Sequence, residues 1–166
     1  TINTAHNTYG AIIFCAAGNG EDDVWQEEYS SHYPSSYENS IGVCAIGCSG
    51  QWGNWATYHP DVDLAAPGES IYSAIIGEGY ESWDGSSMAS PNAASCVGLL
   101  KSFHPDMDND QLIARILDTA DDFIYDGMNE NYQDEFGNKE LGNGMVDCFK
   151  AVGYDIIPNL SYSFQD

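Results

Sequence analysis

The stretch Asp84-Gly85-Ser86-Ser87-Met88-Ala89-Ser90-Pro91 is a turn of small residues that runs straight into an apolar helix. The first backbone N–H groups of a helix have no intrahelical acceptor, and the macrodipole adds partial positive charge at that end. Ser87, placed there, suits attack on a carbonyl whose oxygen becomes negative. Gly85 allows a tight turn, and the small Ser86 and Ala89 leave room for the carbonyl to approach. Pro91 falls within the first turn, where its missing N–H costs little. The competing reading is a Gly-Ser-Ser turn whose serine does no more than cap the helix.

Three further segments bear on the choice. Ala11 to Ala17 is an apolar run leading into Gly18-Asn19-Gly20, which predicts a buried parallel strand delivering a polar amide at its C-terminal end. Asp63-Leu64-Ala65-Ala66-Pro67-Gly68 and Leu141-Gly142-Asn143-Gly144-Met145-Val146-Asp147 follow in that order. The Gly-x-Ser-x-Gly elbow of the α/β-hydrolases is not met, because Ala89 stands where its second glycine belongs.

Together these segments resemble the subtilisin-like serine peptidases, the subtilases, over roughly Gly10 to Val152. Residues 85–91 correspond to that family's Gly-Thr-Ser-Met-Ala-x-Pro, residues 63–68 to Asp-x-x-x-Pro-Gly, and residues 142–147 to Gly-x-Gly-x-Val-Asp. The resemblance implies a serine endopeptidase acting on polypeptides through an acyl-enzyme. Ser87 would be the nucleophile, with the Asn19 amide and the Ser87 backbone N–H as oxyanion donors. It also implies that residues 1–153 form the C-terminal part of a catalytic domain. The family's Asp-Ser/Thr-Gly and His-Gly-Thr-His segments, which carry the other two members of the triad, lie upstream of the oxyanion asparagine, and neither pattern occurs here. His6, His32, His59 and His104 stand in unlike contexts. The expected partner is therefore an N-terminal half bearing Asp and His, without which the chain is inactive. Asn92 departs from the family's usual histidine after the proline, at a position that supports the helix.

No cofactor is required for such chemistry. By resemblance, a structural Ca²⁺ would be held near Asp63 by the 35–40 loop, with Glu38 and Ser40 as further ligands and Asp61 assisting, since oxygen donors suit a hard cation. The alternative is a carboxylate that accepts local backbone hydrogen bonds. A non-catalytic binding or assembly module that keeps the fold is the alternative function.

The 166 residues, 43% of them apolar, suffice for one sizeable core. The charge is lopsided, 26 Asp and Glu against 4 Lys and Arg for a net −22, which disfavours nucleic acid and anionic membranes as partners. No run is apolar and long enough to span a bilayer. The chain begins at Thr1 without a signal-peptide pattern, which reads as a processed, cloned or truncated end of a secreted or extracytoplasmic protein. Cys15, Cys44, Cys48, Cys96 and Cys148 form no metal-binding spacing; buried inert thiols are the default, with one disulfide open to an exported protein.

Along the chain, residues 1–9 predict a helix closed by Gly10. Residues 41–46, 62–66 and 70–76 predict strands, 87–103 a helix apolar nearly all round, and 108–120 an amphipathic helix capped by Asp108 or Asn109. Residues 121–138 read as a polar loop, and a short helix follows Asp147. Residues 154–166 read as a linker or the start of an appended β domain. The whole predicts an α/β fold, subtilisin-like and three-layered, with a mostly parallel sheet and its N-terminal half absent.

Overall fold

The computed structural model describes residues 1–20, 29–133 and 138–153; the expectation for residues 154–166 lies outside them. Its centre is a parallel sheet of three strands in the order β1 (Phe14–Ala16), β2 (Ile41–Ile46), β3 (Leu64–Pro67). Cys15 pairs with Gly42, and Cys44 with Ala65. All six residues of β2 are buried, as a near-continuous apolar run in a parallel sheet requires. β1 is shorter than its apolar run and only half-buried.

Helix α1 (Ile2–Tyr9) ends at Gly10 in the left-handed conformation, as expected. Helix α2 (Ser86–Phe103) packs across all three strands and buries Ala89, Ala93, Val97 and Leu100. It is not covered all round: Leu99 and Phe103 are exposed. Asp108 caps α3 (Asn109–Asp118) in a reciprocal capping box with Gln111, and Leu112 and Ile116 turn inward. Asp147 likewise accepts from the Lys150 N–H to start α4 (Cys148–Ala151).

Two elements depart from expectation. Residues 71–74 form β4, which does not join the parallel sheet but pairs antiparallel with β5 (Tyr80–Trp83) in a separate hairpin. Residues 121–138 are not simply a solvated loop. They contain the 3₁₀ turns Asp122–Tyr125 and Glu130–Tyr132, and Ile124, Tyr125 and Asn129 are buried. Asn129 is satisfied by the Trp52 N–H at 3.0 Å and by the carbonyls of Gly50 and Ile124 at 2.8 and 2.6 Å, which ties that segment beneath the Trp52 loop.

Cys96 on α2 and Cys148 at the head of α4 form a disulfide, so Cys96 is not the inert thiol its apolar setting suggested. Cys44 is a buried thiol whose pKa burial pushes up to about 12, and it donates to the Thr57 carbonyl. Cys15 is half-buried and Cys48 exposed.

Candidate active site

The C-terminal ends of β1 and β3 and the N-terminus of α2 meet at one place. Gly68, just beyond β3, accepts the Gly85 N–H at 2.8 Å, and its own N–H donates to the Ile46 carbonyl. A Cβ on Gly68 would stand 2.6 Å from that of Ala45 and 2.8 Å from the Gly85 carbonyl oxygen, so the turn before α2 reaches the sheet only across a glycine. That contact is the structural meaning of the Pro67-Gly68 segment.

Asn19 follows β1 in the turn Gly18-Asn19-Gly20. Thr57, which is buried, brackets the turn: its N–H donates to the Gly18 carbonyl and its Oγ1 accepts from the Gly20 N–H, each at 3.1 Å. From the other side, the Ser86 N–H and the Ser86 hydroxyl both donate to Asn19 Oδ1 at 2.9 Å. A backbone N–H can only donate, so the amide atom it meets is the carbonyl oxygen and Nδ2 points away. The orientation of Asn19 is thereby fixed by chemistry.

Nδ2 lies on the side of the Gly85 turn. The vacant Cβ position of Gly85 lies 3.5 Å from Asn19 Nδ2 and 3.7 Å from the Ser87 backbone nitrogen. Both nitrogens thus lie within 4 Å of the position a side chain would take, as does Met88 Sδ at 3.4 Å. Gly85 also has φ +151°, which disfavours any other residue. Neither Ser86 nor Ser87 caps α2: the N-cap is Gly85, and it makes no side-chain cap bond. Ser87 is exposed, and its N–H, in the first turn, has no intrahelical acceptor. A cavity of about 280 Å³ opens beside Ser87, lined by Met88, Pro91, Ile71, Trp83 and Glu81 among others.

No histidine lines that cavity. His6 pairs with Asp110 at 3.2 Å, and His104 contacts the Val152 carbonyl at the far end of α2. His59 lies 3.3 Å from Asp61, beside Ser31, a Ser/His/Asp grouping that the sequence did not announce. There the Ser31 hydroxyl donates to the Asp61 carboxylate at 2.7 Å, so the imidazole does not hold the serine proton as a nucleophile's base must.

The cation residues do not share one site. Glu38 is exposed and lines a cavity with Thr1 and Asn3, whereas Ser40 and Asp63 line another with His6 and Asp110. The Pro34, Ser35 and Tyr37 carbonyls converge on Ser40 Oγ at 2.6–3.1 Å. Asp63 accepts the Gly42 N–H at 2.7 Å, and burial raises its pKa against the lowering effect of that bond. Among the described residues no three His, Cys, Asp or Glu side chains converge as a metal site.

A serine at a helix start, with a side-chain amide beside it at the end of a parallel strand, is an arrangement suited to nucleophilic attack by serine in an α/β fold. A profile described as the Subtilase family matches residues 1–144. The chain is 34% identical to a thermostable alkaline protease of Halalkalibacterium halodurans, over 91% of this chain and 37% of that protein. It is 33% identical to thermitase of Thermoactinomyces vulgaris, over 92% of this chain and 48% of thermitase. Among solved structures, a protease of Pseudoalteromonas arctica superposes with a TM-score of 0.71 at 24% identity, over 92% of this chain and 45% of the other, and shows the same fold. The chain belongs to the subtilase family of serine proteases, and it spans half or less of the length of these relatives.

Proposed function

We propose that these residues are the nucleophile-bearing part of a serine endopeptidase. The Ser87 hydroxyl attacks the scissile carbonyl of a polypeptide, and the carbonyl oxygen, now negative, settles between Asn19 Nδ2 and the Ser87 N–H. The tetrahedral adduct then collapses: the scissile C–N bond breaks, the amine leaves with the proton that Ser87 gave to the base, and water hydrolyses the acyl-enzyme left on Ser87. The observation that carries this reading is that the Asn19 Nδ2 and Ser87 nitrogens both lie within 4 Å of the Cβ position that Gly85 leaves open, beside the exposed Ser87.

The proton of Ser87 must pass to a base, and the base needs a group to orient it. No histidine lines the cavity against Ser87, so we assign both groups to a further part of the protein, outside these 166 residues. The Cys96–Cys148 disulfide supports assembly in an oxidising, extracytoplasmic compartment. A structural cation at Asp63 belongs to the same proposal, held by that carboxylate and not by Glu38.

A fluorophosphonate probe tests the assignment. Ser87 in the full-length protein should be labelled rapidly and with a pH dependence, whereas the 166-residue chain should label only slowly. Fast labelling of the short chain would refute the external base. Failure of the full-length protein to label would favour a non-catalytic module that keeps the fold.

A further inference from the structure

We propose that this site takes cationic polypeptides, seating a Lys or Arg side chain of the substrate in the cavity beside Ser87 with its charge at Glu81; the proposal rests on the reading of Ser87 as nucleophile. The register of the β4–β5 hairpin pairs Ile71 with Trp83 and Ser73 with Glu81, so these four side chains share one face. That face lines the cavity of about 280 Å³ together with Ile75, Met88, Pro91 and Ser87 itself. Tyr72 and Tyr80 take the opposite face, stacked on each other with ring centroids 5.6 Å apart.

An apolar wall carrying one carboxylate matches a side chain with an apolar stem and a charged end, which describes Lys and Arg. One oxygen of Glu81 accepts the Trp83 Nε1–H at 3.0 Å, and the carboxylate makes no ion pair among the described residues. Trp83 is half exposed, so its ring face is open to the same cation. The chain supplies no counter-ion of its own here. Its four basic side chains are Lys101, Arg115, Lys139 and Lys150, so residues 1–100 contain neither Lys nor Arg. Lys101 donates to the Pro105 and Met107 carbonyls and Arg115 to that of Ala151, while Lys139 and Lys150 pair with Asp122 and Asp121. None of the four lines the cavity. The net charge of −22 draws any cationic chain toward the protein. Glu81 ties that preference to one residue close to the scissile bond.

The test uses the full-length protein and matched peptides in which each position flanking the cleaved bond carries Lys, Gln or Glu in turn. At low ionic strength, Lys at one of these positions should raise kcat/KM roughly tenfold over Gln, as expected of a partly screened ion pair, and Glu should lower it. Glu81→Gln keeps an acceptor for Trp83 and should remove most of that preference, and Glu81→Lys should reverse it. Glu81 is exposed, so neither change empties a core position. Asp106→Asn removes a charge of the same sign beyond the far end of α2 and should leave the preference intact. No preference for Lys at any position would overturn the proposal, as would a preference that survives Glu81→Gln or that falls equally in Asp106→Asn. Ser87→Ala separates the two readings. An inactive Ser87→Ala beside a wild type without basic preference sinks only the substrate class, whereas an active Ser87→Ala sinks the nucleophile.

Discussion

Cys96 and Cys148, 52 residues apart in sequence, bring the Cα atoms of α2 and α4 to 5.2 Å of each other. The bond clamps the helix that begins at Ser86 to a four-residue helix that has little hold of its own. Other contacts converge on the same place: Arg115 Nε donates to the Ala151 carbonyl, and Lys150 pairs with Asp121 at 2.6 Å. Two of the chain's four basic side chains thus serve to fasten α4.

Breaking that clamp should be costly. A disulfide is worth typically about 2–4 kcal/mol. At roughly 2–4 °C per kcal/mol for a chain of this size, reduction should lower the melting temperature by about 5–15 °C. Calorimetry with and without dithiothreitol, and on a Cys96→Ser/Cys148→Ser variant, measures it. An unchanged midpoint in both would show that hydrogen bonding and packing alone hold α4.

Asn19→Ala in the active full-length protein should reduce kcat by about 100- to 1,000-fold, the loss established for the matching donor of subtilisin, the family's reference case. KM should change little, because in the proposed mechanism Nδ2 meets charge that exists only in the transition state. Thr57→Val keeps shape but removes the acceptor of the Gly20 N–H, and should give a smaller drop in the same parameter. Steady-state kinetics on both variants decides. A rise in KM at constant kcat would mean that the asparagine binds substrate in its ground state.

The places of Ser87 and Asn19 in the fold could be read from sequence because each lies at the end of an element whose apolar run marks it, β1 before Asn19 and α2 after Ser87. Ser86 could not, since its hydroxyl is used by Asn19, 67 positions away, and small size was its visible property. β5 escaped for another reason. Tyr80, Glu81, Ser82 and Trp83 are all exposed, so no buried face imposes a pattern. The segment after Asp121 reads as polar, yet Asn129 is buried because Gly50, Trp52 and Ile124 satisfy it, and none of those partners is announced locally. The disulfide is equally non-local: five cysteines without a spacing pattern leave the pair to the packing of α2 on α4.

Asp63 should give stability a pH dependence of defined sign. Its folded pKa is raised above 3.8, mainly by burial, so the folded state holds its proton more tightly than the unfolded chain does. The neutral carboxyl therefore favours folding at low pH, and that contribution is lost as pH rises from the unfolded value through the folded one. Asp63→Asn is neutral throughout and still presents an oxygen to the Gly42 N–H. Relative to wild type it should gain melting temperature across that window and keep the gain at neutral pH in the presence of EDTA. If a cation binds Asp63, millimolar Ca²⁺ should reverse the order, raising wild type above the variant. No reversal would remove the cation from the proposal.

The net charge of −22 should make the whole fold depend on salt. With 26 carboxylates and 4 basic side chains, most carboxylates must face water and one another without a cationic partner. Self-repulsion of that kind opposes the compact state. Screening shortens its reach from about 30 Å at 0.01 M to about 3 Å at 1 M ionic strength. The melting temperature should therefore climb with NaCl over that range and climb equally with KCl, because the effect belongs to ionic strength and not to a bound ion. Chloride salts are the right choice, since sulfate would add its own strengthening of apolar burial. The few exposed ion pairs, such as Lys139 with Asp122 at 3.6 Å, weaken under the same screening but contribute little, so the repulsive effect sets the sign. A melting temperature that stays flat or falls with NaCl would show that the carboxylates lie too far apart, or are too well hydrated, for their repulsion to matter.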